Sequence, residues 1–191
     1  MIHLSDEGLI GNSRGDYREA KFIGFAGKMY AGKTTAAEVV RASVSGSVII
    51  PFAKKLKEIA TSVFGWDGQK DDRGRRLLQT IGTECGREYN PNFWVDRWVD
   101  EVEKELFVSL FYKDGMYVIA DDVRFDNEAE IIHKFGGKVI LIGRENVGGS
   151  SDHASEKGIS NYLVDRVLVN DGMMVEFKYD VKKMMRGIWQ I

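Results

Sequence analysis

A glycine-rich segment, Gly27 to Thr34, follows directly on the apolar run Phe22 to Ala26 and restricts the possible folds more than any other feature. It reads Gly-Lys-Met-Tyr-Ala-Gly-Lys-Thr and so completes the pattern G-x-x-x-x-G-K-[ST] of a phosphate-binding loop, or P-loop. In such a loop, backbone N–H groups surround a polyphosphate, the lysine reaches its outer phosphates and the hydroxyl meets Mg²⁺. The segment therefore predicts a strand, a nucleoside triphosphate site and a helix opening at Lys33.

The predicted contacts of the triphosphate come mainly from this loop. They are Gly27, Tyr30, Ala31, Gly32, Lys33, Thr34 and Thr35. A chance match to the pattern is the competing explanation. It is weakened by the order of the elements, because a strand precedes the loop and an apolar helical face follows it.

Five short apolar runs alternate with helical patterns along the chain. The runs are 22–26, 48–50, 117–120, 138–142 and 166–169. The helical patterns cover 33–43, 52–63, 77–81, 95–111, 128–135 and 173–188. Strands that alternate with helices predict an α/β fold with a parallel sheet covered on both faces. Residues 1–20 are polar and without periodicity, and we assign no function to this arm.

Composition narrows the class of protein. The chain has 191 residues, 43% of them hydrophobic, which fits one α/β domain. Twenty-seven basic residues oppose 29 acidic ones, so no bulk positive field favours nucleic acid or a membrane. No apolar run approaches the roughly 18 residues of a membrane span. The single Cys85 excludes an internal disulfide, and we expect a cytoplasmic protein.

Polar residues follow several of the predicted strands, where parallel sheets bind their ligands. They are Gly27, Asp121, Asp122, Arg144 and Asn170. The two aspartates predict an Mg²⁺ site beside the P-loop, although strand-end acids also serve as helix caps. Arg124, two residues further on, is suited to bind a phosphate.

Residues 65–92 are rich in Gly, Asp and Arg and predict an insertion that faces a substrate. A solvated surface explains most such charge runs, whereas a second anionic ligand would explain this one in a kinase with a phosphate-bearing acceptor. The sequence Asp71-Asp72-Arg73-Gly74 matches a GTPase switch, but it lies in a polar stretch. Because no Asn-Lys-x-Asp occurs in the chain, the GTPase interpretation loses its support.

An ordered set of further motifs resembles the bacteriophage deoxynucleoside monophosphate kinases, within the nucleoside monophosphate kinase group of P-loop proteins. The matching segments are the P-loop, 52–57, 76–83, 94–95, 122–125, 127–128, 153–156 and 165–170. The resemblance implies ATP as donor, a deoxynucleoside 5′-monophosphate as acceptor, Mg²⁺ as cofactor and strand order 2-3-1-4-5. It also implies that the protein is located in the cytoplasm of the host if a phage encodes it. A homodimer is compatible with the resemblance.

The resemblance also implies roles for individual residues. The catalytic group is Lys33, Asp122, Arg124 and Arg144, and the metal ligands are Thr34, Asp121 and Asp122. The acceptor-binding residues are Lys54, Arg76, Gln79, Arg87, Trp94, Asp122, Arg124 and Glu128, with Trp94 as a wall for base stacking. Asn170 borders the adenine of ATP.

The same resemblance divides one kinase domain, 1–191, into an acceptor-binding insertion at 52–111 and a short lid at 144–160. The lid contains one arginine, Arg144, where a familiar adenylate kinase lid has several. Two alternatives therefore stay open: a P-loop kinase of another phosphorylated small molecule, of the phosphomevalonate or dephospho-coenzyme A type, and a P-loop ATPase that acts on a protein partner.

Overall fold

The computed structural model describes residues 20–109, 116–145 and 158–189. Its strands are β1 (Lys21–Ala26), β2 (Ser47–Ile49), β3 (Tyr117–Val123), β4 (Lys138–Gly143) and β5 (Arg166–Val169). Its α-helices are α1 (Lys33–Arg41), α2 (Lys54–Phe64), α3 (Asp72–Gln79), α4 (Phe93–Ser109), α5 (Asp126–Lys134) and α6 (Met174–Trp189). A π-helix (Thr80–Arg87) continues α3, and a 3₁₀ turn (Asn161–Leu163) precedes β5.

The strands form one five-stranded parallel sheet in the order β2-β3-β1-β4-β5, which confirms the predicted P-loop kinase topology. The P-loop leaves the central strand β1, so neighbouring strands end on both sides of it. One expectation was wrong. β3 continues to Val123, so Asp121 and Asp122 lie within the strand rather than beyond it.

Two hydrophobic layers cover the sheet because successive side chains of a strand point to opposite faces. Phe22 and Val118 join α4 and α5 on one face, where Phe52 stacks on Trp98 with ring centroids 4.6 Å apart. Ile23 and Ile119 join α1 and α6 on the other face. Because of the same alternation, Asp121 and Asp122 lie on opposite sides of β3 and have different hydrogen-bond partners.

The insertion between β2 and β3 is more regular than its composition suggested. The short helix expected at 77–81 is the middle of a helical segment that runs from Asp72 through the π-helix. Asp71 begins it as an N-cap, since its carboxylate accepts a hydrogen bond from the N–H of Gly74 at 2.7 Å. This capping role explains the GTPase-like spacing of Asp71 and Gly74.

A third, smaller cluster holds the insertion together. Leu56, Ala60, Ile81 and Trp94 form its buried part. Gly86 is needed there, because a Cβ at this position would lie 2.5 Å from the indole nitrogen of Trp94. The insertion therefore has a small apolar core of its own.

Two predicted segments fall largely outside the described residues. Of the arm at 1–20 the structure describes only Ala20, and of the lid at 144–160 it describes residues 144–145 and 158–160. The His153, Ser155 and Glu156 element of the resemblance therefore lies outside the described residues. Within the described ranges, no helix is long and apolar enough to cross a bilayer.

Candidate active site

The P-loop adopts its conformation because two glycines stand where a side chain would collide with backbone or side-chain atoms. A Cβ at Gly27 would lie 2.4 Å from the carbonyl oxygen of Ile142, and one at Gly32 would lie 2.5 Å from Nδ2 of Asn170. Both glycines have positive φ, 138° and 109°. Tyr30 also has a left-handed φ of 63°, which is uncommon outside glycine and marks a constrained loop.

Lys33 is buried at the start of α1, and its ammonium group lies inside the loop. Nζ donates to the carbonyl oxygens of Gly27 and Lys28, each at 2.8 Å. No side chain caps α1 at Gly32. The first N–H groups of this helix therefore point toward the position that a phosphate takes in a P-loop.

Residues at the ends of β4 and β5 hold the outer part of the loop. Asn170 is buried, and its Nδ2 donates to the carbonyl oxygen of Ala31 at 2.8 Å. Arg144 Nη1 donates to the carbonyl oxygen of Tyr30 at 3.2 Å. The structure thus brings both predicted residues to the P-loop, where they contact its backbone.

Thr34 and Asp121 form the one predicted pair of metal ligands that the structure joins directly. Thr34 Oγ1 donates to Asp121 Oδ2 at 2.8 Å, across 87 residues of sequence. A hydroxyl beside a carboxylate is an oxygen donor set that suits Mg²⁺, which is bound in P-loop proteins by few side chains together with phosphates and water. Among the residues that the structure describes, no group of three or more His, Cys, Asp or Glu side chains forms an all-protein metal cage.

Asp122 points to the other side of β3 and binds the loop that precedes α2. Its two carboxylate oxygens accept hydrogen bonds from the N–H groups of Phe52, at 2.7 Å, and Ala53, at 3.1 Å. Burial raises the pKa of Asp122, the charge of Asp121 raises it further, and these two N–H groups oppose the rise. Asp122 therefore fixes the start of the insertion.

A buried ionic network lies where the insertion meets α5. Glu128 Oε1 accepts from Arg87 Nη2 at 2.7 Å, and Glu128 Oε2 accepts from the N–H groups of Arg124, at 2.7 Å, and Phe125, at 3.2 Å. The Arg87 guanidinium lies 3.7 Å from the centroid of the Phe125 ring. Burial raises the pKa of Glu128 to about 7, against the lowering effect of Arg87.

Three of the predicted acceptor-binding residues are buried or already paired in the structure. Trp94 is only 2% exposed and donates from Nε1 to the carbonyl oxygen of Gly82 at 2.7 Å, so its ring belongs to the core and offers no wall to a base. Glu128 is 1% exposed, with both oxygens already bonded. Lys54 Nζ is bonded to Glu101 Oε2 at 2.6 Å, which balances its charge.

Arg76 and Gln79 are exposed on α3, as an acceptor-binding role requires. Arg76 lines a groove of about 710 Å³ together with Trp66 and Thr80. No described contact yet joins Arg76 to the P-loop, so its role stays a prediction.

The structure adds two residues that the sequence did not single out. Partial burial lowers the pKa of Lys70, and the positive charges of Lys57 and Arg124 lower it further, while Asp122 and Asp121 act in the opposite direction. Lys70 thus shares the electrostatic environment of the site. Phe125 lies beneath Arg87. Lys70 lies outside every motif, and Phe125 lies in the matching segment 122–125 without an assigned role, so only tertiary structure could reveal their contacts.

Comparison with known proteins identifies the family of this chain. A family model described as deoxynucleotide monophosphate kinase matches residues 70–181. A protein of Acanthamoeba polyphaga mimivirus, named provisionally as a deoxynucleotide monophosphate kinase, is 33% identical over 182 residues, covering 81% of this chain and 91% of the mimivirus protein. The chain belongs to the deoxynucleotide monophosphate kinase family. It is accordingly a kinase.

Matches at lower sequence identity are also found. The deoxynucleotide monophosphate kinase of Enterobacteria phage T4 is 27% identical over 113 residues, which cover 59% of this chain and 45% of the phage enzyme. Among solved structures, dephospho-CoA kinase from Campylobacter jejuni matches with a TM-score of 0.47 and 13% identity, over 90% of this chain and 98% of that one. The P-loop precedes the segment matched by the family model, so its assignment rests on its own motif and geometry.

Proposed function

We propose that the protein transfers the γ-phosphoryl group of ATP to the phosphate of a deoxynucleoside 5′-monophosphate, forming ADP and the deoxynucleoside diphosphate. One observation carries the proposal beyond family membership. β1 and β3 end side by side, so that the P-loop with its Thr34–Asp121 pair and the Arg87–Glu128 network lie at the same edge of the sheet. This arrangement supports a donor site and an acceptor site whose two phosphates would face one another.

The donor side consists of the P-loop and the residues that hold it. Its N–H groups and Lys33 would bind the β- and γ-phosphates, and Tyr30, Ala31 and Thr35 would complete the nucleotide contacts. Asn170 would border the adenine while its amide keeps the loop in place. Thr34 and Asp121 would hold Mg²⁺, which offsets negative charge between the β- and γ-phosphates when it is bound.

The acceptor side begins at Asp122 and continues through residues 52–111, which we assign to acceptor binding. In the transfer, an acceptor phosphate oxygen forms a bond to the γ-phosphorus, the bond from that phosphorus to the bridging oxygen breaks, and ADP leaves. The second pKa of a phosphate monoester is about 6, so the acceptor is largely dianionic at neutral pH and needs no side chain as a base. The negative charge of the phosphoryl group during transfer would be stabilised by Lys33, Arg124, Arg144 and Arg87.

The segment 144–160 stays our proposed lid on geometric grounds. Its two described ends are anchored: the N–H of Glu145 donates to Asp171 at 2.6 Å, and the N–H and hydroxyl of Ser160 donate to Asp126 at 2.7 and 2.6 Å. A lid over the phosphates would exclude water that could otherwise accept the phosphoryl group.

The test measures ADP release from ATP and Mg²⁺ with each of dAMP, dGMP, dCMP, dTMP and dUMP, their ribose counterparts, phosphomevalonate and dephospho-coenzyme A. We expect stimulation by at least one deoxynucleotide with formation of the matching diphosphate. Stimulation by a non-nucleotide alone, or ADP release that is independent of any acceptor, would overturn the proposal.

A further inference from the structure

Glu128 stands in the first turn of α5 and joins three separate parts of the site. One oxygen accepts the N–H groups of Arg124 and Phe125, which belong to the turn between β3 and α5. The other accepts Arg87, which ends the π-helix 41 residues earlier in the chain. The carboxylate is therefore hydrogen-bonded both to the turn after β3 and to the insertion.

Arg87 is held on two sides. Nη2 is bonded to Glu128, and the flat face of the guanidinium lies 3.7 Å from the centroid of the Phe125 ring. Nη1, in contrast, is buried and has no hydrogen-bond partner in the described part of the chain. A guanidinium N–H buried without an acceptor costs free energy unless a ligand supplies one. A phosphate oxygen is such an acceptor, and it matches the fork of an arginine.

We propose that Glu128 is a positioning residue, which fixes Arg87 and the backbone of Arg124 as one unit so that Arg87 Nη1 donates to the phosphate of the acceptor nucleotide. The inference rests on the proposed function, because it names how that acceptor is held. Glu128 acts through Arg87 and does not contact the substrate. Its carboxylate is saturated by three donors, and its negative charge would repel a phosphate dianion.

The physical reason for such a device lies in the chain's topology. Arg87 belongs to the insertion, which is also held by the N–H groups bound to Asp122 and by Asn127, whose Nδ2 donates to the carbonyl oxygen of Pro91 at 2.9 Å. These contacts hold the backbone of the insertion, whereas Glu128 holds the Arg87 guanidinium itself. Phosphoryl transfer depends on alignment, and a displacement of about 1 Å is enough to cost up to about 100-fold in rate. A buried carboxylate that is bonded both to Arg87 and to the turn after β3 prevents such a displacement of the guanidinium.

The experiment is a double-mutant cycle of Arg87→Ala and Glu128→Gln, with steady-state KM and kcat measured for both substrates. We expect each single variant to raise the KM for the deoxynucleotide on the order of 10- to 100-fold while the KM for ATP stays within about threefold. If Glu128 acts through Arg87, Glu128→Gln adds less than about threefold to the acceptor KM in the Arg87→Ala background.

Asp165→Asn is the matched control. Asp165 also accepts three donors, His133 at 2.7 Å, Lys138 at 2.9 Å and the N–H of Val139 at 2.8 Å, but it precedes β5 and so lies at the opposite edge of the sheet. We expect it to lower the melting temperature with no change in the acceptor KM. Should Glu128→Gln fail to fold, Glu128→Asp takes its place in the cycle, since it keeps the charge and shortens the reach.

Two results would overturn the inference. One is independent effects of the two substitutions that multiply in the double variant, and the other is an effect of Glu128→Gln on the KM for ATP alone. The proposed function fails separately. If the unsubstituted enzyme phosphorylates no deoxynucleotide, the proposed function is wrong. If the enzyme is active but Glu128→Gln leaves the acceptor KM unchanged, only the positioning role of Glu128 is wrong.

Discussion

The donor side and the acceptor side of this site are built in different ways. On the donor side, one segment of eight consecutive residues, 27–34, supplies most of the groups, and Lys33 bonds to carbonyls five and six residues away. On the acceptor side, the decisive contacts join residues 41, 69 and 70 positions apart, from Arg87 to Glu128 and from Asp122 to Ala53 and Phe52. A local motif defines the first, and only the folded chain creates the second.

This difference implies that substitutions on the two sides should have different signatures. On the donor side, a lost group removes charge stabilisation from a loop whose backbone is fixed by Gly27, Gly32 and Asn170. On the acceptor side, a lost group loosens the connection between the insertion and β3. We therefore expect changes in turnover from the first and changes in acceptor KM from the second.

The largest effect is expected for Lys33→Ala. The loss of a cation that meets the phosphates should lower kcat by about 100- to 1,000-fold. The two hydrogen bonds of Nζ each contribute about 1 kcal/mol, so the melting temperature should fall by less than about 8 °C. Lys178→Ala, at an exposed lysine of α6, is the control and should change neither quantity. Equal losses of activity and of folded protein would show that Lys33 is merely structural.

Asp121→Asn and Asp122→Asn test the comparison at adjacent positions on β3. Asp121→Asn should raise the Mg²⁺ concentration for half-maximal activity by about 10-fold or more, because it weakens an oxygen ligand next to Thr34. Asp122→Asn should leave the Mg²⁺ requirement unchanged and raise the acceptor KM instead, since an amide satisfies only one of the two N–H groups of Phe52 and Ala53. A Mg²⁺ titration of both variants decides between them. The same Mg²⁺ shift in both would place the two aspartates in one metal site and remove the distinction.

These two aspartates also show how far sequence could predict the site. The P-loop and the five strands were predictable because glycine spacing and apolar runs are local signals, whereas the order of the strands was implied by the family resemblance. The sequence also located Asp121 and Asp122 but ended the strand too early. Which side of the sheet each one faces depends on the extension of β3 to Val123, and a polar Asp-Asp pair in a strand carries no apolar pattern that would predict it.

The acceptor side was harder to predict because burial decides the roles there. The indole ring of Trp94 is of a type that can stack on a base, yet it is buried against Gly82 and Gly86. Glu128 was predicted to bind the acceptor, but in the structure its carboxylate is bonded to Arg87 and to the turn after β3, and on these bonds we base its proposed positioning role. A charge run looks the same in sequence on a solvated surface and in a buried network.

A smaller effect is expected from pH. Burial raises the pKa of Glu128 to about 7, and the charges that face it are Arg87 from the π-helix and Asp122 from β3. Below pH 7 the protonated carboxyl loses its ion pair with Arg87, so the acceptor KM should rise by up to about 10-fold between pH 8 and pH 6. The phosphate of the acceptor also titrates in this range, but it does so equally for the unsubstituted enzyme and for Glu128→Gln. The ratio of their acceptor KM values therefore reports the titration of the Glu128 carboxyl alone.

The contribution of Glu128 to folding stability should instead be larger at low pH, where acceptor binding is expected to be weaker. A carboxyl whose pKa is higher in the folded than in the unfolded protein binds more protons when folded, so its contribution to stability falls as the pH rises from about 4.5 to about 7. Melting curves of the unsubstituted protein and of Glu128→Gln at pH 5.5 and 7.5 measure this. A pH-independent difference between the two melting temperatures would mean that Glu128 does not titrate in this window.

The smallest effect is expected for Lys54→Ala, at the start of α2. Its ammonium is paired with Glu101, which also binds Lys104, and these two hydrogen bonds lower the pKa of Glu101 to about 2. A partly exposed pair of this kind contributes about 1 kcal/mol or less to stability, and salt screens it. Because the charge of Lys54 is already balanced, the acceptor KM should change by less than about threefold. A change as large as that expected for Arg87→Ala would return Lys54 to the acceptor site and extend that site from the π-helix to α2.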